Sequence, residues 1–177
     1  MSQRTLWLLR HAKAAGAPPP GGSDHDRRLA PRGRRDAVAL GHKLGALCEP
    51  GMSAPGLVLC SSAARTTETA ELVASGQSAS AAVDRRRRLY YGSPGDLLEE
   101  LRTLDDAVHS VMLVGHNPAI ASLAVAMLAD DDVEGRGRLE ERGFPTCALA
   151  VLTVQAAGWA ALAAGTARLE GYFTPPY

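Results

Sequence analysis

Cysteine is scarce: Cys48, Cys60 and Cys147 are the only three in 177 residues. An odd number in no metal-ligand spacing argues against both a disulfide framework and a zinc site. Cys60 and Cys147 sit inside apolar runs, where a thiol acts as a small hydrophobe. A reducing compartment is expected. Net charge is absent too, with 19 Lys and Arg against 19 Asp and Glu. No whole-molecule field therefore steers the chain toward nucleic acid or an anionic membrane, and neither is expected as a partner. Long apolar runs are also missing. The first one, Leu6-Trp7-Leu8-Leu9, ends at Arg10 and lacks the basic-then-apolar pattern of a signal peptide. No segment reaches the ~18 apolar residues of a membrane span. These absences predict a cytoplasmic protein.

What is present is the pattern of an α/β protein. The length predicts one domain, residues 1–177, with a sizeable core. Short apolar runs read as strands at Thr5–Leu9, Leu57–Cys60 and Val111–Val114, with a weak one somewhere in Ser75–Val83. Cys147–Val154 and Trp159–Ala164 read as two final strands, possibly a hairpin. Between them lie stretches of helical period. One follows Gly33, with Ala37, Leu40, Leu44, Leu47 and Cys48 on one face. A second is capped by Ser61 or Ser62 and runs to about Val73. A third opens at Ser93-Pro94, with Leu97, Leu98, Leu101 and Leu104 inward. A fourth opens at Asn117-Pro118, with Ile120, Leu123, Ala124, Met127 and Leu128 on one stripe. Gly16–Gly22 and Pro50–Pro55 read as turns, and the highly charged Asp130–Gly143 as a mobile loop. Strands alternating with helices predict a mainly parallel central sheet with helices on both faces.

Two histidines stand just past apolar runs, as Arg10-His11 and as Gly115-His116-Asn117-Pro118. In an open parallel sheet, ligands bind outside the carboxyl ends of the strands. A neutral imidazole there can attack phosphorus and carry the phosphoryl group. An adjacent arginine offers a fork of donors to phosphate oxygens. Arg65 falls in the first turn of the helix after Leu57–Cys60, where free N–H groups and the positive dipole end add to its charge. Gly115 lets backbone approach a ligand, and His116 can donate to a phosphoryl oxygen. The loop Asp24-His25-Asp26-Arg27 could ring the mouth. Taken singly, each piece also fits a surface histidine, a solvated helix arginine or an ordinary polar loop.

In order and together they resemble the histidine phosphatase superfamily, the phosphoglycerate mutase-like proteins, and most closely its short SixA-type phosphohistidine phosphatases. The likeness rests on Arg10-His11; on Asp24, Arg27, Leu29 and Gly33; on Ser61, Arg65, Thr69 and Ala70; on Gly115 to Pro118; and on Phe144-Pro145-Thr146. It implies a phosphoglycerate mutase-like fold and a metal-independent phosphatase without a cofactor. It also implies that His11 is the nucleophile, and that Arg10, Arg65 and His116 are catalytic and bind the phosphoryl oxygens. Ser61 and Arg27 are further candidates for substrate binding. The expected partner is a phosphohistidine-containing protein. The alternatives are a small phosphorylated substrate, which would make the chain a phosphomonoesterase, or a silent module that binds phospho-ligands.

Two features depart from that pattern. Ala12 stands where many members of the superfamily have glycine. The stretch Arg85-Arg86-Arg87-Arg88-Leu89-Tyr90-Tyr91 carries no carboxylate after Asp84, where larger members often present a glutamic acid as proton donor. Either the leaving group needs no acid, or Asp24, Asp26 or Asp96 supplies one. The four arginines read as a solvated face or as a docking patch for an acidic phosphoprotein or polyphosphorylated ligand.

Overall fold

The computed structural model describes residues 3–48, 53–76 and 81–177. Six strands form one sheet: β1 (Arg4–Arg10), β2 (Leu57–Ser61), β3 (Ala82–Arg86), β4 (Ser110–Gly115), β5 (Leu149–Val154) and β6 (Ala167–Phe173), in the order β3-β2-β4-β1-β5-β6. The first four neighbours run parallel; β5 joins antiparallel beside β1, and β6 joins antiparallel beside β5. The mainly parallel sheet read from the sequence is thus the observed one.

Side chains of a strand alternate between faces, and the central strands bury both. Leu6, Leu8, Leu59, Val111 and Leu113 join one core with helices α3 (Arg88–Tyr91), α4 (Pro94–Arg102) and α5 (Ala119–Met127). Trp7, Leu9, Val58, Cys60, Met112 and Val114 join the other with α1 (Pro31–Cys48) and α2 (Ala64–Ser75). Trp7 is fully buried because its indole N–H finds the Ser110 hydroxyl at 3.0 Å. Among the described residues no helix is long and apolar enough to cross a membrane.

Several elements differ from the reading of the sequence. The segment Asp130–Gly143 is not a loop: it contains helix α6 (Val133–Arg142). Its buried stripe is only Gly135 and Leu139, too thin for an apolar periodicity. Its Arg and Glu residues are good helix formers, and Asp132 caps it by accepting from Gly135 N at 3.1 Å. The last strand is Ala167–Phe173, not Trp159–Ala164; the latter begins with a 3-10 turn at Trp159–Ala161. Trp159 is buried for another reason, with its indole donating to Val108 O at 2.6 Å. The alanines after it offer little to a pleated surface. As an edge strand, β6 tolerates Arg168 and Glu170 on its open side.

Helix α1 starts at Pro31, earlier than Gly33, with proline at a favoured first position. Ala63, not Ser61 or Ser62, precedes α2, and it makes no side-chain cap. The weak strand lies at Ala82–Arg86 and takes in two of the arginines. Residues 77–80 of the Ser75–Val83 stretch, and 49–52 of the preceding turn region, lie outside the described residues.

After β1 the chain turns back on itself. Ala15 N donates to Arg28 O at 2.9 Å, and Ala30 N to Lys13 O at 2.9 Å. Gly33 lies against this crossing: a Cβ there would sit 2.2 Å from Lys13 O and 2.8 Å from Lys13 N. Gly33→Ala should therefore push the His11 loop off α1 and cost about 1–3 kcal/mol, the usual range for overpacking. Urea unfolding of the two proteins measures this directly; equal midpoints would contradict it.

Candidate active site

The carboxyl ends of β1, β2 and β4 bring four of the expected residues together. Arg10 is the last residue of β1 and His11 follows it; Ser61 ends β2, and His116 follows β4. Backbone bonds fix the first of these ends. His11 N donates to Gly115 O at 3.0 Å, Arg10 N to Ala148 O at 3.0 Å, and Cys147 N to His11 O at 3.1 Å. The following Ala12 N donates to Thr69 Oγ1 at 3.0 Å, which anchors the loop to α2.

The tautomer of His11 follows from one contact. Its Nδ1 lies 2.7 Å from Ala12 O. A carbonyl oxygen can only accept, so Nδ1 carries the hydrogen and the neutral ring has its lone pair on Nε2. The ring is neutral because burial lowers its pKa to about 4, reinforced by the charges of Arg65, Arg10 and Arg27 and opposed by the bond to Ala12.

His116 packs 5.1 Å from His11, centroid to centroid. Burial lowers its pKa to about 3, with further lowering from His11 and Arg65. Its Nε2 lies 2.8 Å from Ser61 Oγ. Its Nδ1 is buried with no hydrogen-bond partner, and so is Arg10 Nε. Unpaired polar atoms are rare in protein interiors and call for an explanation. Ser61 is fully buried. Its hydroxyl faces the His116 ring.

The guanidinium groups are held from behind. Arg10 Nη1 donates to Phe144 O at 2.8 Å, and Asn117 Nδ2 donates to the same oxygen at 2.9 Å. The Phe144-Pro145-Thr146 segment thus orients Arg10. Arg65 is only 7% exposed. It donates to Asp24 O at 2.7 Å and to Asp24 Oδ2 at 3.0 Å. Arg27 grips Ala15 O with Nε and Nη2 and reaches Asp24 Oδ1 at 2.7 Å. It belongs to the site through this carboxylate and through its field on His11.

Tyr90 was missed in the sequence. Its hydroxyl donates to Asp24 Oδ2 at 2.8 Å, Arg65 lies 5.6 Å from its ring centre, and the ring meets His116 edge-on at 5.5 Å. A tyrosine in an arginine-rich stretch gives no spacing signal; only the fold places it there. Of the other expected residues, His25 faces Ser62 Oγ at 2.9 Å, Asp26 accepts from Ser23 N at 2.8 Å, and Asp96 accepts from Ser93 N at 2.8 Å while Ser93 caps α4. Among the described residues no group of His, Cys, Asp and Glu could hold a metal ion.

Two arginines, two neutral histidines and the N-terminus of α2 thus gather at one edge of the sheet. Residues 6–90 match the model of the histidine phosphatase superfamily (branch 1). The uncharacterized protein Rv1276c of Mycobacterium tuberculosis is 40% identical over 169 residues, covering 94% of this chain and 99% of its own. The solved structure of SixA from Nakamurella multipartitia superposes with a TM-score of 0.83 at 32% identity, covering 100% of this chain and 99% of that one. The fold extends to phosphoglycerate mutase of Plasmodium falciparum, at a TM-score of 0.64 and 14% identity over 100% of this chain and 97% of that one. The chain belongs to the histidine phosphatase superfamily, SixA type, and is an enzyme of the phosphatase class.

The two buried imidazoles couple this site to stability. Unfolding returns them to about 6.5 from about 4 and about 3. Between those values the unfolded chain binds more protons, so stability falls as pH drops from about 6.5 toward 4. The depressed carboxylates, Asp24 among them, lose their contribution only below the ordinary aspartate value of 3.8. Melting temperature should therefore fall across pH 6.5 to 4, and His116→Gln should flatten that fall. An unchanged slope in the variant would contradict the assignment.

Proposed function

We propose that this phosphatase hydrolyses phosphohistidine on a protein through a phospho-His11 intermediate. The observation that carries the reading is the His11 tautomer. Nδ1 is pinned to Ala12 O, so the ring presents a neutral Nε2 lone pair among Arg10, Arg65 and His116. Phosphoryl transfer asks for an in-line nucleophile and charge stabilisation more than for elaborate covalent chemistry.

In the first step His11 Nε2 forms a bond to phosphorus as the bond to the leaving nitrogen breaks. The electron pair departs with a substrate imidazole already protonated on its other nitrogen. Arg10, Arg65 and the unpaired His116 Nδ1 share the equatorial oxygens. The Ser61 hydroxyl, donating to Nε2, would keep hydrogen on Nδ1, where it can be donated. For Arg65 the phosphoryl oxygens replace the Asp24 carboxylate. In the second step water attacks phosphorus, the Nε2–P bond breaks, and its pair returns to His11. The protons of water leave with phosphate.

The absence of an acid favours this substrate. Asp24 is held well below the usual carboxylate range by its bonds to Tyr90, Arg27 and Arg65, and Asp26 and Asp96 are lowered by their bonds to Ser23 and Ser93. None keeps a proton at neutral pH. An alkoxide leaves phosphorus poorly unprotonated, and general acid help is typically worth ~10²–10⁴.

Brief incubation with a labelled substrate should place an acid-labile, base-stable phosphoryl group on His11. His11→Ala should lose the label and about four orders of magnitude of turnover, as expected for a member of a catalytic unit. Label on a serine, or on the variant, would overturn the mechanism.

Phosphohistidine and aryl phosphates should be turned over faster than alkyl phosphates by about 10² in kcat/KM. Activity should also survive exhaustive EDTA treatment. Rapid alkyl phosphate hydrolysis that collapses in Asp24→Asn, Asp26→Asn or Asp96→Asn would make the chain a small-molecule phosphomonoesterase instead.

A further inference from the structure

The run Arg85–Arg88 is not uniformly a solvated face. Arg85 pairs with Glu71 at 2.9 Å, Arg86 with Asp84 at 2.8 Å and Glu100 at 2.6 Å, and Arg88 with Glu100 at 3.2 Å. Arg87 alone of the four has no acidic partner among the described residues. It lines a cleft of about 430 Å³ with Arg85, His25, Ser62, Tyr90 and Tyr91. The nearby carboxylates are already occupied, Glu71 by Arg85 and Asp26 by Ser23.

This cleft is one aromatic ring away from the phosphoryl cage. Tyr90 is the shared wall: His25 packs on it at 4.9 Å, and His116 meets it at 5.5 Å. Beyond the Tyr90–Tyr91 ridge lies a second cleft of about 400 Å³, where the apolar Leu89, Pro94, Pro118 and Ala119 stand beside His116 and Asn117 of the phosphoryl site. Tyr91 stands on the ridge 79% exposed. A small polyphosphate would use the cationic cleft and leave the apolar one bare. An extended chain crossing the ridge would use both.

We propose that Arg87, with His25 and Ser62, forms a subsite for an acidic side chain flanking the phosphorylated residue of a polypeptide substrate. This rests on the reading of His11 and its cage as the phosphoryl site. The ligand chemistry is a carboxylate, close in sequence to phosphohistidine, with an apolar residue on its other side. An exposed arginine bonds such a group through a two-pronged fork, which lysine cannot reproduce.

The test uses three phosphohistidine peptides that differ only in a Glu, Ala or Lys beside the phosphorylated residue, each made in both flanking positions. The readout is the ratio of kcat/KM between peptides for each enzyme, so any change in overall turnover cancels. Wild type should favour Glu over Ala by about fivefold, the scale of one exposed ion pair, and Lys should be disfavoured. Arg87→Ala should bring the ratio to about one, Arg87→Lys should restore it only in part, and Arg87→Glu should favour Lys. The Glu preference should weaken with added salt. Equilibrium binding of the same sequences, carrying a non-hydrolysable phosphohistidine analogue, reads the subsite without chemistry. A flat ratio in wild type, in both turnover and binding, overturns the subsite while leaving the phosphatase reading intact. Failure to turn over any peptide or p-nitrophenyl phosphate overturns the phosphohistidine reading, and the binding ratio still decides the subsite. An Arg87-dependent preference for bisphosphorylated small molecules, with no preference among peptides, would overturn the polypeptide.

Discussion

The hydrogen bond from His11 Nδ1 to Ala12 O, 2.7 Å long, is the constraint on which the site depends. It chooses the tautomer, and the tautomer decides which nitrogen is free to react. Much of the surrounding structure serves to keep Ala12 where it is. Ala12 N is held by Thr69, and the next residue, Lys13, is held by Ala30 N and crowded by Gly33. The glycine and threonine of the motifs are thus explained by backbone geometry rather than by chemistry. Two sequence signals that look catalytic in a motif turn out to carry the floor beneath the His11 ring.

A second layer of the design is electrostatic. Arg65 is nearly buried, and a buried cation without a partner is costly. Asp24 supplies the partner and is itself shared with Arg27 and Tyr90. The carboxylate sits on the half-exposed rim, while the guanidinium lies within. Charge balance is therefore kept by a group that solvent can reach.

Much of this was legible in the sequence, and the reasons are specific. The strands carrying His11, Ser61 and His116 are buried on both faces, so they show as unbroken apolar runs. The motifs that follow them mark their ends. Helix α6 was not legible, because its buried stripe is two residues wide. The last strand was misplaced because Trp159 and its alanines form an apolar run, and that run serves a turn against Asp106. The motif named Ser61 as a candidate without its direction; the fold buries it with its hydroxyl toward His116. Tyr90 and the unpaired Arg87 depend on contacts across the fold, which no local pattern encodes.

The Phe144 carbonyl, gripped by both Arg10 and Asn117, belongs to a segment that reaches the site from far along the chain. It continues through Cys147, which holds His11 O and lies in the left-handed region with φ 65°. Tyr177 donates to the carbonyl of that same residue. Tyr177 is therefore linked through Cys147 to the backbone of His11 at the carboxyl end of β1. Such long-range closure is slow compared with local helix formation. The histidine that follows β1 is therefore held in full only once β5 has paired beside that strand. The His11 loop is thus a part of the fold that local structure alone does not hold.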